Sequence, residues 1–192
     1  MLLTLVVAIG FGGMPEAPPL PLQDVGCIIM SDSDPATRPS PLDSVMFTVG
    51  GTSAKVCYGR PSAKGRTMIG GAAIPYDEIW RTGANEPTMI HTSGRLSIAG
   101  IEVGPGSYSV YSVPGENGWQ IVLNRSITQW GHERFYSGDV AAQEIGRADV
   151  ESRRTSSHVE SLTMRTEGSG DMIALIIEWE NTLVTIPIRQ GQ

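Results

Sequence analysis

Two short, glycine-punctuated segments contain most of the side chains that could bind a ligand or act on one. The first runs from Tyr58 to Arg66, where Arg60, Lys64 and Arg66 place three cations within seven residues. Arginine presents a planar, bidentate fork and lysine a point charge, so the three could clamp a carboxylate, sulfate or phosphate. The alternative is a solvated loop whose cations pair with acids elsewhere in the chain: Asp77, Glu78 or Glu86.

The second segment runs from Trp80 to Glu86 and combines an indole with hydrogen-bonding groups. Gly83 can turn the backbone sharply at positive φ, which would let Arg81, Asn85 and Glu86 point into one pocket beside Trp80. An aromatic face surrounded by polar groups is a typical arrangement for binding a sugar. The alternative is structural: Trp80 anchors the core, Arg81 pairs with Glu86, and Asn85 caps a turn.

Trp130 is a second aromatic candidate, because it follows a predicted strand that ends at Asn124. Trp80 and Trp130 could form two walls of one cleft, or both could fill the ends of a β-sandwich. The sequence leaves these two alternatives open.

The three histidines do not indicate a metal site, because His91, His132 and His158 show neither HxH nor HExxH spacing. His91 is predicted to occupy a strand position. His132 beside Glu133 is an acid–base pair by proximity only, since neighbours on a strand point apart. We therefore predict no metal and no cofactor.

Short β-rich runs separated by turns must position these loops. Glycine (23 residues) and proline (13 residues) are frequent, as is typical of many short strands joined by turns. The pattern predicts an all-β fold, a single antiparallel β-sandwich or flattened barrel with at most one or two helical turns. The predicted strands are Val45–Val49, Ala54–Tyr58, Thr88–Thr92, Leu96–Ile98, Ile101–Val103, Ser107–Val113, Trp119–Asn124, Ile145–Val150, Val159–Thr166, Met172–Trp179 and Leu183–Ile188.

Three local features refine this pattern. Met172–Trp179 is apolar on both faces, which predicts a central strand. Asn181 is expected in the turn to the last strand. Pro75–Arg81 is the one predicted helical turn, since it starts with proline and carries acids in its first turn.

The chain of 192 residues suits one domain preceded by a leader. Residues 1–25 are predicted to be an export leader and Pro-rich spacer, because Leu2–Phe11 is an apolar core of suitable length, although no basic residue precedes it. The alternative for Leu2–Phe11 is a buried strand or helix. Residues 26–44 read as a linker and 45–189 as the β domain. We predict an exported protein that is periplasmic or associated with the outer membrane.

Charge and hydropathy limit the partners. The net charge is −6 and no run of Lys or Arg occurs, so we predict no nucleic-acid partner. No apolar stretch reaches the length that spans a bilayer. A membrane link is predicted only through lipid attachment at Cys27, which follows Gly26 as in a bacterial lipobox, although Asp24 stands where a leucine is expected.

The two cysteines leave alternatives open. A Cys27–Cys57 disulfide is allowed in an oxidising compartment. We favour Cys57 as a small, buried apolar residue of a strand. Their spacing does not indicate a zinc site.

Several motifs in order resemble the DUF2911 family, which consists of bacterial proteins that usually carry a signal peptide. The matching residues are Tyr58, Arg60-Pro61-Ser62, Lys64-Gly65-Arg66, Trp80-Arg81-Thr82-Gly83-Ala84-Asn85-Glu86, Gly106, Tyr108-Ser109, Pro114-Gly115, Asn124, Gln129-Trp130-Gly131, Trp179, Asn181-Thr182, Val184 and Pro187. The resemblance covers roughly Val45 to Ile188 and implies an exported, β-rich domain. It implies no activity, and Gly131–Gly138 departs from the family pattern.

Three functions are consistent with these residues. The first is a binding module for a glycan or anionic small ligand, held by Arg60, Lys64, Arg66, Trp80, Arg81, Asn85, Glu86 and Trp130. The second in preference is a purely structural module whose motif residues lock loops together. The third is a cell-envelope hydrolase or lyase in which Glu86 acts as acid or base and Arg or Lys side chains stabilise negative charge.

Overall fold

Alternating apolar residues and glycine-rich turns fold the chain into antiparallel β structure. The computed structural model describes residues 25–192, so the predicted leader lies outside the described residues except for Val25. The nine strands of the described part are β1 Leu42–Val49, β2 Thr52–Gly59, β3 Thr88–Thr92, β4 Leu96–Ile98, β5 Ile101–Val103, β6 Gly106–Pro114, β7 Trp119–Asn124, β8 Glu144–Ser169 and β9 Met172–Gln190. A 3-10 turn, Glu133–Phe135, and one α-helical turn, Gly138–Ala141, follow β7.

The strands form one open sheet in the order β1-β2-β3-β6-β7-β8-β9-β4-β5, and every pairing is antiparallel. One half of this sheet consists of β1, β2, β3, β6 and β7, and the other consists of β9, β4 and β5. Strand β8 contributes to both halves. It pairs with β7 up to Val150 and with β9 from Glu151 onward. The predicted all-β fold class is confirmed.

The core lies between these two halves. Val56 and Ile90 from the β2–β3 side, with Ile177 and Ile186 from β9, line one internal cavity of about 10 Å³. A cavity of that size is at the lower limit for a single water. The side chains of the two halves therefore pack closely around this cavity.

Strand β9 forms the centre of this core, as predicted. Ile173, Leu175, Ile177 and Trp179 are all buried on one face, and β9 pairs with β8 on one side and β4 on the other. Within residues 25–192, no helix is long and apolar enough to cross a membrane.

The last two strands are longer than predicted. The runs at 145–150 and 159–166 belong to the single strand β8, whose pairing with β9 shifts register between Arg154 and Val159 and again between Val159 and Thr163. A β-bulge adds residues to one strand without ending the pairing. Asn181 consequently lies within β9 rather than in the predicted turn, and Glu180 beside it adopts a φ of 53°.

The helical turn predicted at Pro75–Arg81 is wrong. Asp77 N–H donates to Pro114 O at 2.8 Å, and Trp80 exchanges two backbone hydrogen bonds with Ser112, at 2.7 and 2.8 Å. These bonds to β6 hold the segment as a turn at Tyr76–Asp77, where Asp77 adopts a φ of 62°, followed by a single β-bridge at Trp80. Local propensity for a helix is weak compared with pairing to a neighbouring strand.

The segment before β1 is fixed to the domain. Cys27 forms a disulfide with Cys57 of β2, with a Cα–Cα distance of 5.8 Å, and Lys55 Nζ donates to Val25 O at 3.0 Å. The interpretation of Cys57 as an unpaired apolar residue is therefore wrong, because its partner lies in a segment that carries no strand signal. A lipid thioether and this disulfide exclude each other on the Cys27 sulfur.

Candidate functional site

Trp80 is a core residue. Its side chain is 3% exposed, its ring stacks on Trp179 at 6.0 Å and meets Trp119 edge-on at 5.8 Å, and its Nε1 donates to Gly83 O at 3.2 Å. The structural alternative for Trp80 is thus the observed one. Trp130 is half-buried and is not among these ring partners.

Arg81 and Glu86 do not pair with each other. Arg81 Nη1 lies 2.8 Å from both carboxylate oxygens of Glu133. Glu86 accepts from Arg38 Nη1 at 3.0 Å, from Arg38 Nη2 at 2.7 Å and from the backbone N–H of Met30 at 3.0 Å. The expected Arg81–Glu86 pair is wrong because each charge finds its partner on another loop.

Burial alone would raise the pKa of the Glu86 carboxyl. The hydrogen bonds from Arg38 and Met30 outweigh burial, so the pKa lies below its ordinary value. Both oxygens of this buried carboxylate accept hydrogen bonds from the protein, which suits a role in stabilising the fold. Sequence reasoning missed Arg38 because it lies in a Pro-rich segment that reads as a linker, and the only signal was that a buried acid requires a cation.

The loop from Arg60 to Arg66 runs along β8. Arg60 Nε donates to Leu162 O and its Nη2 to Thr163 Oγ1, both at 3.1 Å. Arg66 Nε donates to Ala63 O at 2.9 Å. Both guanidinium groups therefore already bond to protein oxygens.

Lys64 differs from these arginines because its side chain is exposed. Its backbone N–H donates to Glu160 Oε1 at 2.7 Å, and its φ is 51°. The acids expected to pair with this loop were Asp77, Glu78 and Glu86. The acid found is instead Asp43, whose Oδ2 lies 3.7 Å from Arg60 Nη1.

Asn85 holds the loop that contains it against the segment before β1, since its Nδ2 donates to Ser40 O at 2.9 Å. The left-handed residues of this loop are Thr82 (φ 55°) and Asn85 (φ 66°), so the expected positive φ at Gly83 is wrong. Gly83 instead allows close packing, because a Cβ there would lie 3.1 Å from Gly59 O.

The eight predicted site residues thus lie on several loops and line none of the clefts described below. The structure brings Trp80, Asn85 and Glu86 together as packing and capping groups of one loop. Their binding of a ligand stays a prediction.

An open, polar cleft of about 550 Å³ lies above Trp119. The β6–β7 turn forms one wall, the segment 67–76 another, and β8 and β9 the floor. The lining residues are Thr67, Ile69, Gly70, Tyr76, Gly115, Glu116, Asn117, Trp119, Ser152, Arg153, Arg154, Glu180, Asn181 and Thr182.

Glu180 and Gly70 shape this cleft. The Glu180 carboxylate accepts from the backbone N–H groups of Met68 at 3.0 Å and Ile69 at 2.9 Å, which ties the wall to β9. Tyr76 packs over Gly70, where a Cβ would lie 2.5 Å from the ring. Because Gly70 has no side chain, the Tyr76 ring can pack directly against its backbone. Tyr76, which is 40% exposed, therefore lies at the cleft.

Arg153 and Arg154 supply the positive charge of the cleft. Adjacent residues on a regular strand point to opposite faces, yet both arginines are exposed and both line the cleft, directly before the first register shift of β8. Arg165 pairs with Glu178, whereas, among residues 25–192, neither the Arg153 nor the Arg154 side chain makes a hydrogen bond or ion pair. The pKa of Glu178 is lowered mainly by Arg165, with a smaller contribution from Arg153.

The cleft offers anion and hydrogen-bonding chemistry. In the described part of the chain, no three His, Cys, Asp or Glu side chains are grouped as a metal site requires. Sequence reasoning missed Arg153 and Arg154, because they fell between the predicted strands Ile145–Val150 and Val159–Thr166, in a segment that the structure shows to be part of β8. The one available signal was an adjacent pair of arginines in a segment rich in Ser and Thr.

Comparison with known proteins assigns the chain to a family. Residues 40–188 match the family described as a protein of unknown function, DUF2911. The chain belongs to the DUF2911 family. No curated protein and no solved structure matches it.

The residues described above lie partly inside and partly outside the matched segment of this DUF2911 protein. All cleft residues, from Thr67 to Thr182, lie inside it. Gly115 and Asn181, which belong to motifs of the family resemblance, line the cleft. Cys27 and Arg38 lie before the segment, so the disulfide and the Glu86 ion pair join it to residues outside the family match.

Proposed function

We propose that this DUF2911 protein is an exported binding module for a glycan or anionic small ligand, and that the cleft above Trp119 is its binding site. The observation that carries the proposal is the pair Arg153 and Arg154 at a cleft of about 550 Å³. Neither side chain makes a hydrogen bond or ion pair with the described residues. Ligand pockets typically enclose about 300–1,000 Å³.

The side chains of the cleft match the functional groups of an acidic sugar. A guanidinium group binds a carboxylate through two parallel hydrogen bonds. Asn117 offers an amide donor and acceptor, and the ring of Tyr76 offers an apolar face with a polar tip. Together they would bind the carboxylate, hydroxyl groups and apolar face of one sugar.

The Cys27–Cys57 disulfide supports export, because disulfides persist in oxidising compartments and are rare in the cytosol. The predicted leader in residues 1–25 supports the same placement. Both are consistent with a ligand of the cell envelope.

A structural role remains the second candidate for the motif residues themselves. Trp80, Asn85 and Glu86 each bond or pack within the protein. The hydrolase or lyase alternative, with Glu86 as acid or base, gains no support from a side chain that is 4% exposed and lines none of the described clefts.

Titration calorimetry with glucuronic acid and N-acetylneuraminic acid at low ionic strength tests the proposal, because salt screens exposed charges. The double variant R153Q/R154Q should bind at least about tenfold more weakly, since a hydrogen bond to a charged group contributes about 1.5–3 kcal/mol. Exposed Arg125 lines none of the described clefts, so R125Q is the matched control. Absence of binding to both sugars, or equal loss in R125Q, would contradict the proposal.

A further inference from the structure

Two further depressions adjoin the central cleft. The first, of about 340 Å³, shares Gly115 and Trp119 with it. The second, of about 460 Å³, shares Arg153 and Arg154 with it. The three depressions therefore adjoin one another along β8, and we refer to them together as the β8 groove.

Residues 149–157 of β8, apart from Glu151, line the β8 groove. Asp149 and Val150 line the first depression, Ser152 lines the central cleft, and Thr155 to Ser157 line the second depression. Strands rise about 3.3 Å per residue, so the six steps from Asp149 to Thr155 extend at most about 20 Å. A groove of this length accommodates a chain of several sugar units.

The charged side chains differ along the β8 groove: the central cleft holds Arg153 and Arg154 together with Glu116 and Glu180, and the Glu180 carboxylate already accepts two backbone hydrogen bonds. The first depression carries Asp77 and Asp149, and Asp149 Oδ1 accepts from Gln120 Nε2 at 3.2 Å. Arg153 and Arg154 lie further along the groove. A uniformly acidic chain would meet like charge at the two aspartates, whereas uncharged sugar hydroxyls can donate hydrogen bonds to their carboxylates.

We infer that the ligand is an oligosaccharide of mixed charge, with an acidic unit at Arg153 and Arg154 and uncharged units over Asp77 and Asp149. This inference rests on the proposed function and names its ligand class. The groove is lined mainly by polar side chains that suit hydroxyl groups, which favours a sugar chain over an acidic peptide.

Four probes test the ligand class: sialyllactose, free N-acetylneuraminic acid, lactose and trigalacturonic acid. Sialyllactose joins one acidic sugar to two uncharged ones, so it should bind at least about tenfold more tightly than the free acid, the factor that about 1.4 kcal/mol provides. Trigalacturonic acid should bind more weakly than sialyllactose, because its outer carboxylates face the two aspartates. Tri-glutamate serves as the peptide probe.

Gly118 provides a variant that blocks only the first depression. A Cβ at Gly118 would have one neighbour, Val150 O at 3.5 Å, which is ordinary van der Waals contact. Gly118→Phe should therefore fold, fill the first depression and reduce the affinity for sialyllactose to that for the free acid. Gly118→Ala is the matched control and should bind like the native protein.

The outcomes separate this inference from the proposed function. One outcome is that the free acid binds as tightly as sialyllactose and Gly118→Phe changes neither affinity. The assignment of an extended ligand would then be wrong. The anion site would still stand if R153Q/R154Q weakened binding. If trigalacturonic acid or tri-glutamate binds more tightly than sialyllactose, the assignment to a mixed-charge oligosaccharide is wrong. If none of the probes binds, the proposed function fails as well.

Discussion

Arg38 and Glu86 form a buried, bidentate ion pair between residues 48 positions apart in sequence. Each side chain is 4% exposed, and the shorter of the two bonds measures 2.7 Å. Arg38 Nε makes no further hydrogen bond in the described part of the chain, so its charge depends on this one partner. The pair joins the segment before β1 to the loop that follows Trp80.

Arg38→Ala should destabilise the protein by about 3–5 kcal/mol, because it leaves the Glu86 carboxylate buried without its cation. Urea unfolding at neutral pH measures the change. Arg147→Ala, which breaks the partly exposed pair with Glu144, is the control and should cost about 0–1 kcal/mol.

The double variant R38M/E86L distinguishes two causes of instability: the loss of the Arg38–Glu86 attraction and the burial of an unpaired Glu86 carboxylate. Replacing both partners with apolar residues removes the desolvation cost together with the attraction. It should therefore be more stable than Arg38→Ala. A double variant as unstable as the single one would show that packing, rather than charge, dominates at this position.

The lowered pKa of Glu86 predicts a loss of stability in acid. The folded-state pKa lies below the ordinary value of 4.5, so the unfolded state binds the proton first as pH falls. The contribution of Glu86 is fully present above that ordinary value and is lost as pH falls through the lower folded-state pKa. Urea unfolding from about pH 6 to about pH 3 should show a steeper decline for the native protein than for Glu86→Gln. Parallel declines would contradict this assignment.

Local sequence patterns predicted most of the strands. β3, β4, β5 and β7 begin and end where alternation and turn residues placed them, because each strand has a buried face and defined turns. β8 and β9 were each predicted as two strands, since bulges interrupt alternation without ending the pairing. Register shifts between distant strands are not encoded in the local pattern.

The site was harder to predict than the fold. The sequence marks Trp80 and Glu86 as unusual, but an indole or a carboxylate near glycines is equally suited to a core and to a pocket. The partners that decide between these, Trp179 and Arg38, are far away in sequence. Likewise, Arg153 and Arg154 share the cleft only because β8 changes partner next to them.

The Cys27–Cys57 disulfide should contribute about 3–4 kcal/mol, because it restricts a loop of 30 residues in the unfolded chain. The double variant C27S/C57S should lose that amount in urea unfolding. The chain has two cysteines, so the oxidised native protein should show no free thiol in a thiol titration under denaturing conditions. Two reactive thiols in protein purified from an oxidising compartment would contradict the pairing.

Gly59 allows β2 to contact the backbone of the loop that contains Trp80. A Cβ at Gly59 would lie 1.9 Å from Ala84 O, and the Ala84 N–H donates to Gly59 O at 3.2 Å. Gly59→Ala must therefore separate the two segments, with a loss at or above the upper end of the ~1–3 kcal/mol typical of overpacking. Gly104→Ala is the matched control, because nothing lies within 4 Å of a Cβ there. The same stability for both variants in urea unfolding would show that the loop is free to move away from β2, and that Trp80 is not held in the core through this contact.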